Sequence, residues 1–144
     1  MPRRFAPIAL AAVALTVPAA DSASAFAAAR ATSKKVIVST RAFTGTAAQA
    51  DRWGPLQVTV VVRKTTTIAG SKKTVTRRLT SIRAPVYPNH TDRSVYINQT
   101  ALPMLVQEAL KAQSAHIYIV SGATNTSDAF AQSLQSAILK ERAW

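Results

Sequence analysis

Apolar and β-branched residues recur at every second position through the middle of the chain, and at every third or fourth position through its last third. Val36–Phe43 (VIVSTRAF) reads as a first strand, and Thr44-Gly45-Thr46 either turns or continues it. Gly54–Val62 (GPLQVTVVV) is a stronger strand, β-branched and opened by a Gly-Pro pair. Ala69–Lys73 (AGSKK) has the composition of a hairpin tip, and Lys73–Ile82 (KTVTRRLTSI) that of the returning strand. Val75 and Leu79 share a face of that strand. Ile82 falls on the other face unless a bulge shifts the phase by one residue. Ala84–Arg93 (APVYPNHTDR) is a loop rich in Pro and Asn.

Arg93–Ser114 (RSVYINQTALPMLVQEALKAQS) carries a helical period. Proline removes a helix-interior hydrogen bond, so Pro103 predicts a break: a short helix near Ser94–Thr100, then a second from Leu102–Pro103. In the second, Leu102, Leu105, Val106, Ala109 and Leu110 form one apolar face. Residues 116–120 (HIYIV) alternate as a final short strand. A C-terminal helix follows, capped by Thr126 or Ser127, with Phe130, Leu134, Ala137, Ile138 and Leu139 as its buried stripe. Lys140 and Arg142 suit its dipole end. Strands and helices do not alternate regularly. The pattern therefore predicts an α+β fold, a small antiparallel sheet packed with a helical pair and a C-terminal helix.

The chain has 144 residues, of which 48% are hydrophobic, enough for one domain with an ordinary core and a short extra segment. Its N-terminus has the form of a targeting signal. Arg3 and Arg4 precede the apolar stretch Phe5–Ala20, and Ala23-Ser24-Ala25 supplies a small-x-small cleavage pattern. Residues 1–25 are read as a signal peptide, 26–40 as a linker running into the first strand, and 41–144 as the functional domain. The stretch is short for a membrane span, an uncleaved signal anchor being the alternative, and no cysteine follows it to take a lipid anchor. The expected location is extracytoplasmic, at or near the outer face of the cytoplasmic membrane.

With no cysteine anywhere, disulfides, thiolate metal sites, iron–sulfur clusters and thioether-bound haem are excluded. His90 and His116 stand in no ligand spacing and read as surface or strand residues, so no metal site is predicted. Eighteen Lys+Arg against six Asp+Glu give a formal charge of +12, which favours anionic partners without specifying a fold. Seven bases (Arg63, Lys64, Lys72, Lys73, Arg77, Arg78 and Arg83) fall in a hairpin that holds no acid. They form a solvated face that aids solubility, or they meet anions. Ser121 lacks a nucleophile elbow, and Glu108 and Asp128 are not a convincing catalytic couple.

The remaining chemistry lies in Val120–Phe130 (VSGATNTSDAF), where small polar residues surround one glycine at a strand-to-helix junction. Such a turn gathers unpaired backbone N–H groups at a positive dipole end, which suits a phosphate. Ser121, Gly122, Ala123, Thr124, Asn125 and Thr126 are the candidate cradle. An ordinary capped loop would have the same local composition. Trp53 either covers a flat ring or belongs to the core, and Arg93 either reaches the phosphate or faces water.

The wider sequence narrows this. The segment Val120–Ile138 (VSGATNTSDAFAQSLQSAI) resembles the C-terminal signature of the FMN-binding domain family. That family includes the flavin subunits of sodium-pumping NADH:quinone reductase and of Rnf-type complexes, and the small exported actinobacterial flavin domains look closer still. RWGPLQVTVVV (Arg52–Val62) resembles the family's opening strand, VYPN (Val86–Asn89) its central loop, and Arg93–Ala115 its helices. The resemblance implies FMN as cofactor, with a phosphoester on Thr124 installed by a flavin transferase, or tight non-covalent FMN. The transferase motif usually has an acid where Tyr118 stands, and Asn125 replaces an aromatic of close relatives. An exported electron-transfer flavoprotein follows, more a carrier or redox subunit than a stand-alone enzyme. It would have a membrane redox partner, an anionic surface as a further contact, and no nucleic acid. The rival reading is a secreted polyanion-binding module that uses the Arg63–Arg83 hairpin.

Overall fold

The computed structural model describes residues 33–144, and the proposed signal peptide lies outside them. The elements run β1 (Lys35–Thr44), β2 (Ala48–Gln49), a single 3-10 turn (Asp51–Trp53), β3 (Pro55–Ala69), β4 (Lys72–Val86), α1 (Asp92–Ala112) and α2 (Thr124–Arg142). The α+β class is the one expected. β1 begins at Lys35, so part of the segment read as linker is strand.

β3 is the middle of a four-stranded antiparallel sheet, paired with β1 and then β2, and with β4. Its alternation sorts its faces: Leu56, Val58, Val60 and Val62 are buried, while Gln57, Thr59 and Val61 are half-buried. The hairpin to β4 closes over Gly70-Ser71. Gly70 has φ 61°, the positive value that a II′ turn needs at its first central residue.

A bulge that shifts the phase of Ile82 is present. Val62 pairs with Leu79 but Val61 with Ser81, leaving Thr80 unpaired, and the shift brings Leu79 and Ile82 into the same core. Thr80 is held there because its hydroxyl donates to Val61 O at 3.0 Å.

Between β1 and β2 the ladder breaks, and α2 fills the gap. Gly45 N donates to Val58 O at 2.8 Å, while Val58 N donates to Ser133 Oγ of α2 at 2.9 Å. A Cβ on Gly45 would lie 2.0 Å from Ser133 O, so only glycine permits this approach. Phe130, Leu134, Ala137 and Ile138 then pack on the buried face of β3. Leu139, expected in that stripe, is exposed because it lies round the helix on the solvent side.

Three further expectations are corrected. The helical pair is one helix, α1, which runs through Pro103. Ala101, Leu105 and Ala109 continue a single buried stripe across the exposed proline, and their packing outweighs the lost backbone bond. Residues 116–120 form no strand. Ile117 and Val120 pack against the core, but the β4 edge is already engaged at Leu79 by the side chain of Gln113. Finally, neither Thr126 nor Ser127 caps α2. Both lie inside its first turns, buried, and the N-cap is Ala123.

At the far end of α2, Arg77 Nε lies 2.9 Å from the buried Glu141 Oε1, a charge contact that lacks hydrogen-bond alignment. Trp144 packs on Phe43, with Arg41 and Lys64 over its ring, and Lys64 Nζ donates to Trp144 O at 2.6 Å.

Candidate functional site

The start of α2 is built to leave backbone donors free. Gly122 takes φ 81° and turns the chain, and Ala123 N donates to Val120 O at 3.0 Å. The first helical bond is Ser127 N to Ala123 O at 2.9 Å. An alanine has no side-chain acceptor, so the N–H groups of Thr124, Asn125 and Thr126 receive no cap. No acid stands in the first turn. The positive dipole end is therefore uncompensated.

Buried side chains fix this corner. Ser127 Oγ accepts from Val120 N at 3.1 Å and donates to Ala123 O at 2.9 Å, so it locks the turn from within. Thr126 Oγ1 donates to Asn98 Oδ1 of α1 at 2.9 Å, and Asn98 Nδ2 donates to Pro88 O at 2.7 Å. The loop after β4, α1 and α2 thus meet at one satisfied polar point in the interior.

Two cavities open here. One, about 270 Å³, is lined by Trp53, Pro88, Arg93, Ser94, Ile97, Asn98 and residues 122–126. Its neighbour, about 470 Å³, shares the walls Arg93, Ile97, Gly122 and Ala123, and adds Tyr96, Thr100, Ala101, Val120 and Ser121. Together they fall within the size range of small-molecule and cofactor sites. No acidic side chain lines either cavity.

The six residues singled out from the sequence thus assemble at one place. Gly122, Ala123, Thr124, Asn125 and Thr126 line the first cavity and Ser121 the second. Thr124 and Asn125 are exposed, so their side chains are available to a ligand, whereas the Thr126 hydroxyl is spent on Asn98. Trp53 is half-buried at the cavity wall, not in the core, with the Arg52 guanidinium 5.0 Å from its ring centroid. Arg93 reaches both cavities. None of the seven hairpin bases lines either one.

Sequence reasoning missed Asn98, Ser94 and Pro88. Asn98 carried a signal: it is a polar residue three and seven positions before Ala101 and Leu105, on the inward stripe of α1.

A cavity without acidic lining, set against a helix start with uncapped amides, has the chemistry that suits an anionic group such as a phosphate. A model of the FMN-binding domain family matches residues 51–139, from the turn before β3 to the last turns of α2. The chain belongs to this family, and FMN is its cofactor. A search of curated proteins finds no match. The residues present fit the group: unpaired amides and Arg93 for the phosphate, and a Trp53-walled space for the ring system.

Proposed function

We propose that this protein is an exported flavoprotein carrier, in which the first turn of α2 holds the FMN phosphate and the adjoining cavities receive the ring. The observation that carries the reading is the exposed Thr124 beside three uncapped amides and a cavity without acids. Bound FMN supplies an isoalloxazine that accepts one or two electrons, which the chain's own side chains do not offer.

The residues divide the work. Amides of Thr124, Asn125 and Thr126, aided by the helix dipole, orient the phosphate oxygens. Arg93 neutralises charge at the shared wall of the two cavities. The side chains of Trp53 and Ile97 exclude water from the ring space. Asn98 and Ser127 act on the ligand only by holding this frame. With a flavin transferase and a flavin dinucleotide as donor, Thr124 Oγ1 would lose its proton and attack the flavin-side phosphorus, displacing the nucleoside monophosphate to leave a phosphoester; without them, the same contacts would hold FMN non-covalently. The signal-like residues 1–25 support export, and the partner is a redox protein at the outer face of the membrane.

Producing the chain with and without a flavin transferase, then recording its visible spectrum and intact mass, tests this. Flavin that survives denaturation and disappears in Thr124→Ala supports the phosphoester. Flavin released on denaturation supports the non-covalent form. A colourless protein that also ignores added FMN contradicts both.

A further inference from the structure

The hairpin bases belong to a larger feature that only the fold reveals. Beyond the last buried pair, Val62 with Leu79, the strands β1, β3 and β4 continue as a three-stranded ribbon to Gly70-Ser71. Seven residues at ~3.3 Å each carry it ~23 Å past the core. No residue from 34 to 42 or from 63 to 78 is buried, and the whole span from Arg52 to Thr91 contains no acid.

Pairing register sorts its side chains. Ile37, Thr66 and Val75 form one rung on the face that α2 covers further up, and Lys35, Ile68 and Lys73 form the next. Val36 and Val38 stand on the opposite face beside threonines. Lys34 and Lys72 complete the end. The tip therefore carries four lysines and aliphatic side chains on both faces: Val36, Ile37, Val38 and Val75 are 38–52% exposed. Exposed aliphatics beside flexible bases are the composition of an interfacial lipid contact. The apolar groups enter the headgroup boundary while the ammonium groups reach the phosphates. The ribbon has no aromatic residue on which bases could stack, which disfavours single-stranded nucleic acid. The chain also enters the domain at this same end, since Lys35 pairs with Ile68 next to the turn.

We propose that the ribbon tip docks on an anionic bilayer through Lys34, Lys35, Lys72 and Lys73, with Ile37 and Val75 inserted at its surface. The flavin cavities lie at the other end of the hairpin, flanked by Trp53 just before β3 and Pro88 just after β4, so docking leaves them open to a redox partner.

The test uses the chain from residue 26 onward, which keeps the whole compact unit Thr32–Trp144 with its own core. It is co-sedimented with phosphatidylcholine vesicles, with and without phosphatidylglycerol, over a range of salt. Binding is expected only with phosphatidylglycerol and should fall steeply with salt. Changing the four lysines to glutamate should abolish it, and Ile37→Ser with Val75→Ser should weaken it roughly tenfold. FMN uptake and circular dichroism of the variants should match the parent, which separates this outcome from a failure of the flavin site. Absence of binding to phosphatidylglycerol vesicles overturns the proposal. So does serine-variant binding equal to the parent's together with tight binding to soluble polyphosphate, which would make the tip a polyanion site.

Discussion

The side-chain amide of Gln113 pairs with both backbone groups of Leu79. Leu79 N donates to Oε1 at 2.8 Å, and Nε2 donates to Leu79 O at 3.0 Å. One residue thus stands in for a fifth strand at the edge of β4, beside the Thr80 bulge. The same amide donates to Leu110 O at 2.6 Å, and Gln113 ends α1 with φ 52°. Gln113→Ala leaves those groups without partners in a half-buried place. It should lower stability by about 1–2 kcal/mol, read from urea unfolding. Gln113→Gly, which relieves the positive φ, should recover only a part of that.

Gly45→Ala places a methyl carbon against Ser133 O, where neither the sheet nor the helix has room to yield. A loss of about 3 kcal/mol is expected, roughly 12 °C in Tm by calorimetry. An unchanged Tm would mean that α2 does not seat on the β1–β2 gap.

Pro103→Ala should act in the opposite sense. The residue is exposed in mid-helix, and alanine restores the missing N–H without disturbing Ala101 or Leu105. A gain of about 1–2 kcal/mol, smaller than the full proline cost because the unfolded chain is also freed, should appear in thermal melts.

Asn98 links the site to the fold. Asn98→Ala strands the Thr126 hydroxyl and Pro88 O and should cost about 2–3 kcal/mol. Asn98→Asp keeps the acceptor for Thr126 but adds negative charge at the wall of the first cavity. FMN affinity should therefore fall further than stability does, by roughly tenfold or more, measured by fluorescence titration.

Much of this was legible in the chain. The alternation of Leu56, Val58, Val60 and Val62 specified β3, and the missed phase of Ile82 against Leu79 left either a bulge or an outward Ile82. Gly122 marked the turn before the last helix, because its φ of 81° is open to glycine at little cost. What failed depended on tertiary contacts. Pro103 marks a helix break in isolation, but the stripe of Ala101, Leu105 and Ala109 on the core overrides it. His116–Val120 alternates like a strand yet finds no ladder. Thr126 resembles a cap, and only the position of Asn98 on another helix shows that its hydroxyl is engaged elsewhere.

The central claim is that the uncapped start of α2 recognises a phosphate. Titrating the flavin-free protein with FMN and with riboflavin, which lacks only that group, measures this directly. A preference for FMN of roughly thirtyfold or more is expected, on the scale of two or more charge-assisted hydrogen bonds, and it should shrink sharply in Thr124→Asp. Equal affinity for the two flavins would contradict the account.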